Sequence, residues 1–109
     1  MKGCSLRFYL HESQKHQGML LYEWLLEQAK RSGIHGGSAF RAIAGFGRHG
    51  VLAQQHFFEL AGQLPVLVEF VVSEADADAL LALAQADGAV LFYTRTAVDF
   101  GSLDAPSPL

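Results

Sequence analysis

Crosslinks, prolines and charge are all scarce in this chain. One cysteine, Cys4, in 109 residues excludes an internal disulfide and makes a reducing cytoplasm the expected compartment. Three prolines, with Pro106 and Pro108 both in the last few residues, leave no Pro-rich linker to divide the chain. Only 17% of residues are charged, and the formal net charge is −3. The basic residues are scattered, which excludes the dense positive footprint of a nucleic-acid binder. No apolar run approaches the ~20 residues of a membrane span, and none after Lys2 is long enough to be expected as a signal peptide. What is plentiful is apolar: hydrophobic residues make up 50% of the chain. So apolar a composition in a domain this small points to surface buried between copies.

The pattern of the apolar residues sets the elements. CSLRFYLH, residues 4–11, alternates as a half-buried strand does. A polar loop follows at 12–18, then a helix from Met19 to Ser32. Its apolar rows are Leu21, Trp24, Leu25 and Tyr22, Leu26, Ala29. Glu23, Glu27, Lys30 and Arg31 mark its wet side, and Glu27 with Arg31 forms a favourable i,i+4 pair. Gly33 suits the helix C′ position. Alternation over Ser38–Phe46 predicts a second strand. Val51–Leu60 fits either a short strand pair or a single helical turn, with an extended hairpin arm the favoured reading. PVLVEFVV from Pro65 is a third strand, with proline at its first position, where the missing N–H is tolerated. Ser73 with Asp76 resembles a capping box and starts a helix over Glu74–Ala86, with Ala77, Leu80, Leu81 and Ala84 facing inward. Asp87-Gly88 marks a tight turn, and a fourth strand runs over Ala89–Phe100. The order β-α-β-β-α-β predicts an α+β, ferredoxin-like fold: an antiparallel sheet with two helices on one face. Residues 1–100 make a single domain, and 101–109 a flexible tail.

Assigning strand faces by alternation puts Leu6, Phe8, Leu10, Phe40, Val68 and Phe70 under the helices. The other face receives Arg7, Tyr9, Arg41, Ile43, Leu67, Glu69, Val71, Leu91, Tyr93 and Arg95. A largely apolar face of that extent is more than an isolated chain usually exposes. Copies closing around it, most simply as a homotrimer, would bury it and let Arg7, Arg41 or Arg95 pair with Glu69.

The candidate site lies at the end of the second strand, in GFGRHG. Gly45, Gly47 and Gly50 bracket Phe46, Arg48 and His49. Glycine lets backbone N–H groups approach a ligand closely, and such a loop can form an anion-binding nest with Arg48 as a pre-placed guanidinium.

Several runs resemble the uncharacterised PII-like family known as domain of unknown function 190. They are LRFYLHES, GMLLYEWLLEQAKRSGIHGGSAFRAIAGFG and LPVLVEFVVSE, with Glu12-Ser13, Leu21-Tyr22-Glu23, Gly33, Gly36, Gly37, Gly45-Phe46-Gly47 and Leu64-Pro65-Val66 as the most specific parts. Gly45 to Arg48 are also similar to the start of the long regulatory loop of PII signalling proteins. The resemblance implies a ferredoxin-like trimer with nucleotide sites in clefts between subunits. It implies regulation of a partner, often a membrane transporter, rather than catalysis. PII proteins carry a glycine-rich, lysine-bearing loop before the last strand; here that region is only Asp87-Gly88. AMP or ADP is therefore the expected ligand, rather than ATP with 2-oxoglutarate.

On this reading Gly45, Phe46, Gly47 and Arg48 form the base of the nucleotide cleft, with Arg48 on phosphate. Arg41 projects near it, and Glu12 and Ser13 follow the first strand at the same end of the sheet. The alternative is a divalent-cation-binding trimer of the CutA type. The five histidines, His11, His16, His35, His49 and His56, invite it, although no pair sits at i,i+3 or i,i+4 on a helix.

Overall fold

A computed structural model describes residues 1–46 and 64–103. The elements in chain order are β1 (Lys2–His11), β2 (Lys15–His16), β3 (Met19–Leu20), α1 (Leu21–Arg31), β4 (Ser38–Arg41), β5 (Pro65–Val72), α2 (Glu74–Ala86) and β6 (Phe92–Asp99). Antiparallel pairing gives a sheet in the order β4-β5-β1-β6. The two β-α-β halves thus interleave, and the two central strands come one from each half. The helices pack on one face, α1 against β5 and α2 against β1. Between sheet and helices lies one apolar core that includes Leu6, Phe8, Trp24, Leu25, Val68, Phe70, Ala77 and Leu80. Phe8 and Phe70 meet edge to face at 6.2 Å. Cys4 belongs to this core, and its burial pushes the thiol pKa up, so it stays a neutral thiol at ordinary pH.

Both helices stop by the same device. Gly33 takes φ +86°; its N–H bonds to the Lys30 carbonyl, and the Ile34 N–H reaches back to Ala29. Gly88, at φ +76°, and Ala89 repeat this pair of bonds on Gln85 and Ala84. Each is a Schellman motif, which satisfies carbonyls the helix end would leave unpaired. At the other end of α2 the Ser73 side chain accepts from the Asp76 N–H at 3.1 Å.

The third strand and second helix lie where the alternation and the capping signal put them, at Pro65–Val72 and Glu74–Ala86. Other expectations need correction. The second strand ends at Arg41 rather than Phe46. The polar loop at 12–18 contains the first strand of a small hairpin, β2 with β3, turning on Gln17 and Gly18, both at positive φ. That hairpin takes Met19 and Leu20 and delays the start of α1. The faces of two strands are also reversed. Phe40 pairs with Leu67, and Ala39 with Val68, so Phe40 lies on the open face, 51% exposed, and Arg41 on the helix side. Tyr93 and Arg95 pair with Phe8 and Leu6, which puts them on the helix side as well; Phe92 takes the open face. Ile43 and Leu91 fall outside the strands. The physical reason is that β4 and β6 are the sheet's edges. All four β4 residues are exposed, so burial imposes no period there.

The arginines find partners within the chain. Arg7 donates to Glu69 across β1 and β5 at 2.8 Å, and that hydrogen bond raises its pKa. Arg95 forks between Asp78 at 2.7 Å and Glu74 at 2.6 Å on α2, and these bonds raise its pKa, Asp78 contributing most. Arg41 pairs with Glu12. None of them needs Glu69 of another copy. The predicted arm over 51–60 lies outside the described residues, as do residues 104–109 of the predicted tail.

Candidate functional site at the loop base

Leu64-Pro65, the entry to β5, gathers the site residues. The Glu12 N–H donates to the Leu64 carbonyl at 3.0 Å, and the Ala42 N–H donates to the Pro65 carbonyl at 2.9 Å. His11 and Pro65 are register partners. Gly45 lies so close to the proline that a Cβ built on it would stand 3.2 Å from Pro65 Cγ. The ends of β1 and β4 and the glycine corner are thereby tied to one dipeptide.

Glu12 and Ser13 form a tight turn, closed by the Gln14 N–H to the His11 carbonyl at 3.1 Å. The turn aims the Glu12 carboxylate at β4, where Arg41 Nε donates to its Oε2. The arginine side chain is 65% exposed and the glutamate 14%. Ser13 is exposed at the tip of the turn. Phe46 is exposed beside Gly45, presenting a ring to solvent beyond the end of β4. Glu12, Arg41 and Gly45 are therefore brought together, and Ser13 and Phe46 border them by chain. Gly47 and Arg48 lie outside the described residues. Chemically this corner holds an exposed guanidinium already paired with a carboxylate, near a backbone free of side-chain bulk.

The β2–β3 hairpin follows the Glu12-Ser13 turn in the chain and packs on α1. His16 Nε2 meets Asp87 Oδ2 at 2.8 Å, and its ring stands edge-on to Trp24 at 4.6 Å. This latch fastens the hairpin to the C-terminal cap of α2. A second feature escaped sequence reasoning: a cleft of about 330 Å³ between α1 and the 34–37 turn. Lys30, His35 and Phe70 line it. The signal for it was the Gly36-Gly37 pair, since a Cβ on Gly37 would stand 2.3 Å from the Phe70 ring.

Residues 3–93 match the DUF190 family, described as "Uncharacterized ACR". The chain belongs to DUF190. Its relatives include the UPF0166 protein of Aquifex aeolicus, 39% identical over 74 residues, which span 68% of this chain and 70% of that one. The UPF0166 protein of Methanocaldococcus jannaschii is 36% identical over 81 residues, 74% of each chain. Among solved structures, this DUF190 chain is similar to CPII of Thiomonas intermedia, a nitrogen regulatory PII-like protein bound to ADP, AMP and bicarbonate. The TM-score is 0.64 at 16% identity, over 93% of this chain and 97% of that one. It is also similar to a chain of Thermus thermophilus described as PII-like and signalling, with a TM-score of 0.57 at 23% identity over 89% of each. This chain thus shares the PII-like fold.

Proposed function

We propose that this DUF190 chain is a PII-like regulator. It binds an adenine nucleotide, AMP or ADP, in clefts between the subunits of a homotrimer. Occupancy modulates a partner protein, with a membrane transporter as the candidate class, and the chain performs no catalysis of its own. The observation that carries the reading is the convergence of Arg41, Glu12 and Gly45 on Leu64-Pro65. It puts an exposed guanidinium beside a glycine corner at the base of the long segment between β4 and β5. The nucleotide-bound state of CPII, a protein of the same fold, supports the ligand class. The short connection between α2 and β6, which opens on the Schellman turn at Asp87-Gly88 and carries no lysine, supports the preference for fewer phosphates. No observation favours the CutA-type alternative: among the described residues, no three His, Cys, Asp or Glu side chains are placed to share an ion.

Calorimetry and thermal melting with AMP, ADP and ATP test the reading. AMP or ADP should raise the melting temperature, since a ligand that binds only the native state stabilises it by mass action. Arg41→Ala should weaken binding by about tenfold, the worth of one charge-assisted contact, while the circular dichroism spectrum stays unchanged. No heat and no melting shift with any of the three at millimolar concentration would remove the nucleotide from the account.

A further inference from the structure

We propose that the Glu12 carboxylate is a built-in competitor for the ligand's phosphate, holding Arg41 until an anion displaces it. This rests on the nucleotide reading above and adds a regulatory element to the same site.

The argument starts from asymmetry within the pair. Arg41 ends an edge strand whose residues are all exposed, and its side chain is mostly in water. Glu12 is mostly buried and stands in a turn fixed at both sides, by its own N–H on Leu64 and by Gln14 on His11. With its side chain only 14% exposed, the carboxylate has far less room to move than its partner. The Arg41 backbone is held in β4 against β5, and its long side chain, 65% exposed, is the part better able to move. A phosphate reaching Arg41 must take the guanidinium from a carboxylate that stays in place, and it then sits beside that negative charge. Carboxylate and phosphate ask the same thing of a guanidinium, a pair of acceptor oxygens in its plane. Glu12 thus lowers affinity twice, by occupying the donor and by repelling the anion. The consequence for a regulator is a site tuned to respond at higher nucleotide concentration.

The test is calorimetric titration of the full chain with AMP, and with adenosine as the probe lacking the phosphate. Glu12→Gln should bind AMP about five- to tenfold more tightly than the unaltered chain, a gain on the scale of one partly screened charge pair. Adenosine affinity should not change. Glu12→Asp, which draws the carboxylate back by one methylene, should give a smaller gain and supplies the measurement if the glutamine variant fails to fold. In the Arg41→Ala background the Glu12→Gln gain should shrink, which a merely structural role for Glu12 would not produce. If the unaltered chain binds AMP and neither Glu12 variant binds it more tightly, the competitor role is overturned and the nucleotide site stands. An equal gain for adenosine also overturns it. If no nucleotide binds to any of these proteins, the site and the competitor fall together.

Discussion

Gly37 is small because Phe70 needs the room. The Phe70 ring is among the largest fully buried side chains, and a methyl group on Gly37 would stand 2.3 Å from its edge, with Leu26 closing the other side at 3.2 Å. On another side the ring packs edge to face on Phe8. Gly37→Ala should therefore cost about 1–3 kcal/mol, the usual range for overpacking, as a lower urea midpoint with unchanged slope. Phe70→Leu in the same chain should restore part of that loss, so that the two changes together cost less than their sum. Gly3 provides the contrast. Its added Cβ would stand 2.2 Å from the Val72 carbonyl oxygen, which is backbone, and no second side-chain change can make way.

Among the elements, legibility followed burial. Pro65–Val72 and Glu74–Ala86 could be read from the sequence because each has a buried face and an unambiguous start, proline in one and the Ser73 cap in the other. The edge strands could not. Ala39 and Phe40 are both exposed, so the larger side chain falls on whichever face pairing with β5 dictates. Arg95 sits on the helix face because α2 offers it Glu74 and Asp78 there, a long-range match with no sequence period. Pairing of Glu12 with Arg41 was equally hidden, although both residues were singled out separately. The β2–β3 hairpin was missed for a local reason. Its turn is Gln17-Gly18, with φ of 53° and 82°, where two-residue turns of this kind favour Asn-Gly. Glutamine gains nothing from a left-handed conformation that asparagine tolerates. Gln17→Asn should accordingly stabilise the chain by about 0.5 kcal/mol, seen as a melting temperature a few degrees higher. No gain would mean that the His16–Asp87 latch, rather than the turn, fixes the hairpin.

For the whole molecule, the open face of the sheet decides the state of assembly. With the strand faces corrected it carries Phe40, Leu67, Val71, Tyr9 and Phe92. The Tyr9 and Phe92 rings lie 5.7 Å apart, and these two residues are 41% exposed while Val71 is 46%. Removing Arg41 and Arg95 leaves this face with fewer charges than alternation suggested, although Ser5, Ser38, Thr94 and Thr96 also lie on it. The charges that remain, Arg7 and Glu69, already satisfy each other. Copies meeting here would therefore gain chiefly from apolar burial and need no ion pair between subunits. Assembly should accordingly resist salt, because screening acts on exposed charges and not on buried apolar area. In sedimentation at micromolar concentration the chain should run as three copies of its 11.9 kDa, and as much so in 0.5 M as in 0.05 M sodium chloride. Val71→Asp or Phe92→Asp should give single chains with unchanged circular dichroism, since neither side chain belongs to the core under the helices. Separation into single chains at high salt would instead assign the contact to charges elsewhere. An unaltered chain that sediments alone would show that this face stays in water, and the clefts between subunits would go with it.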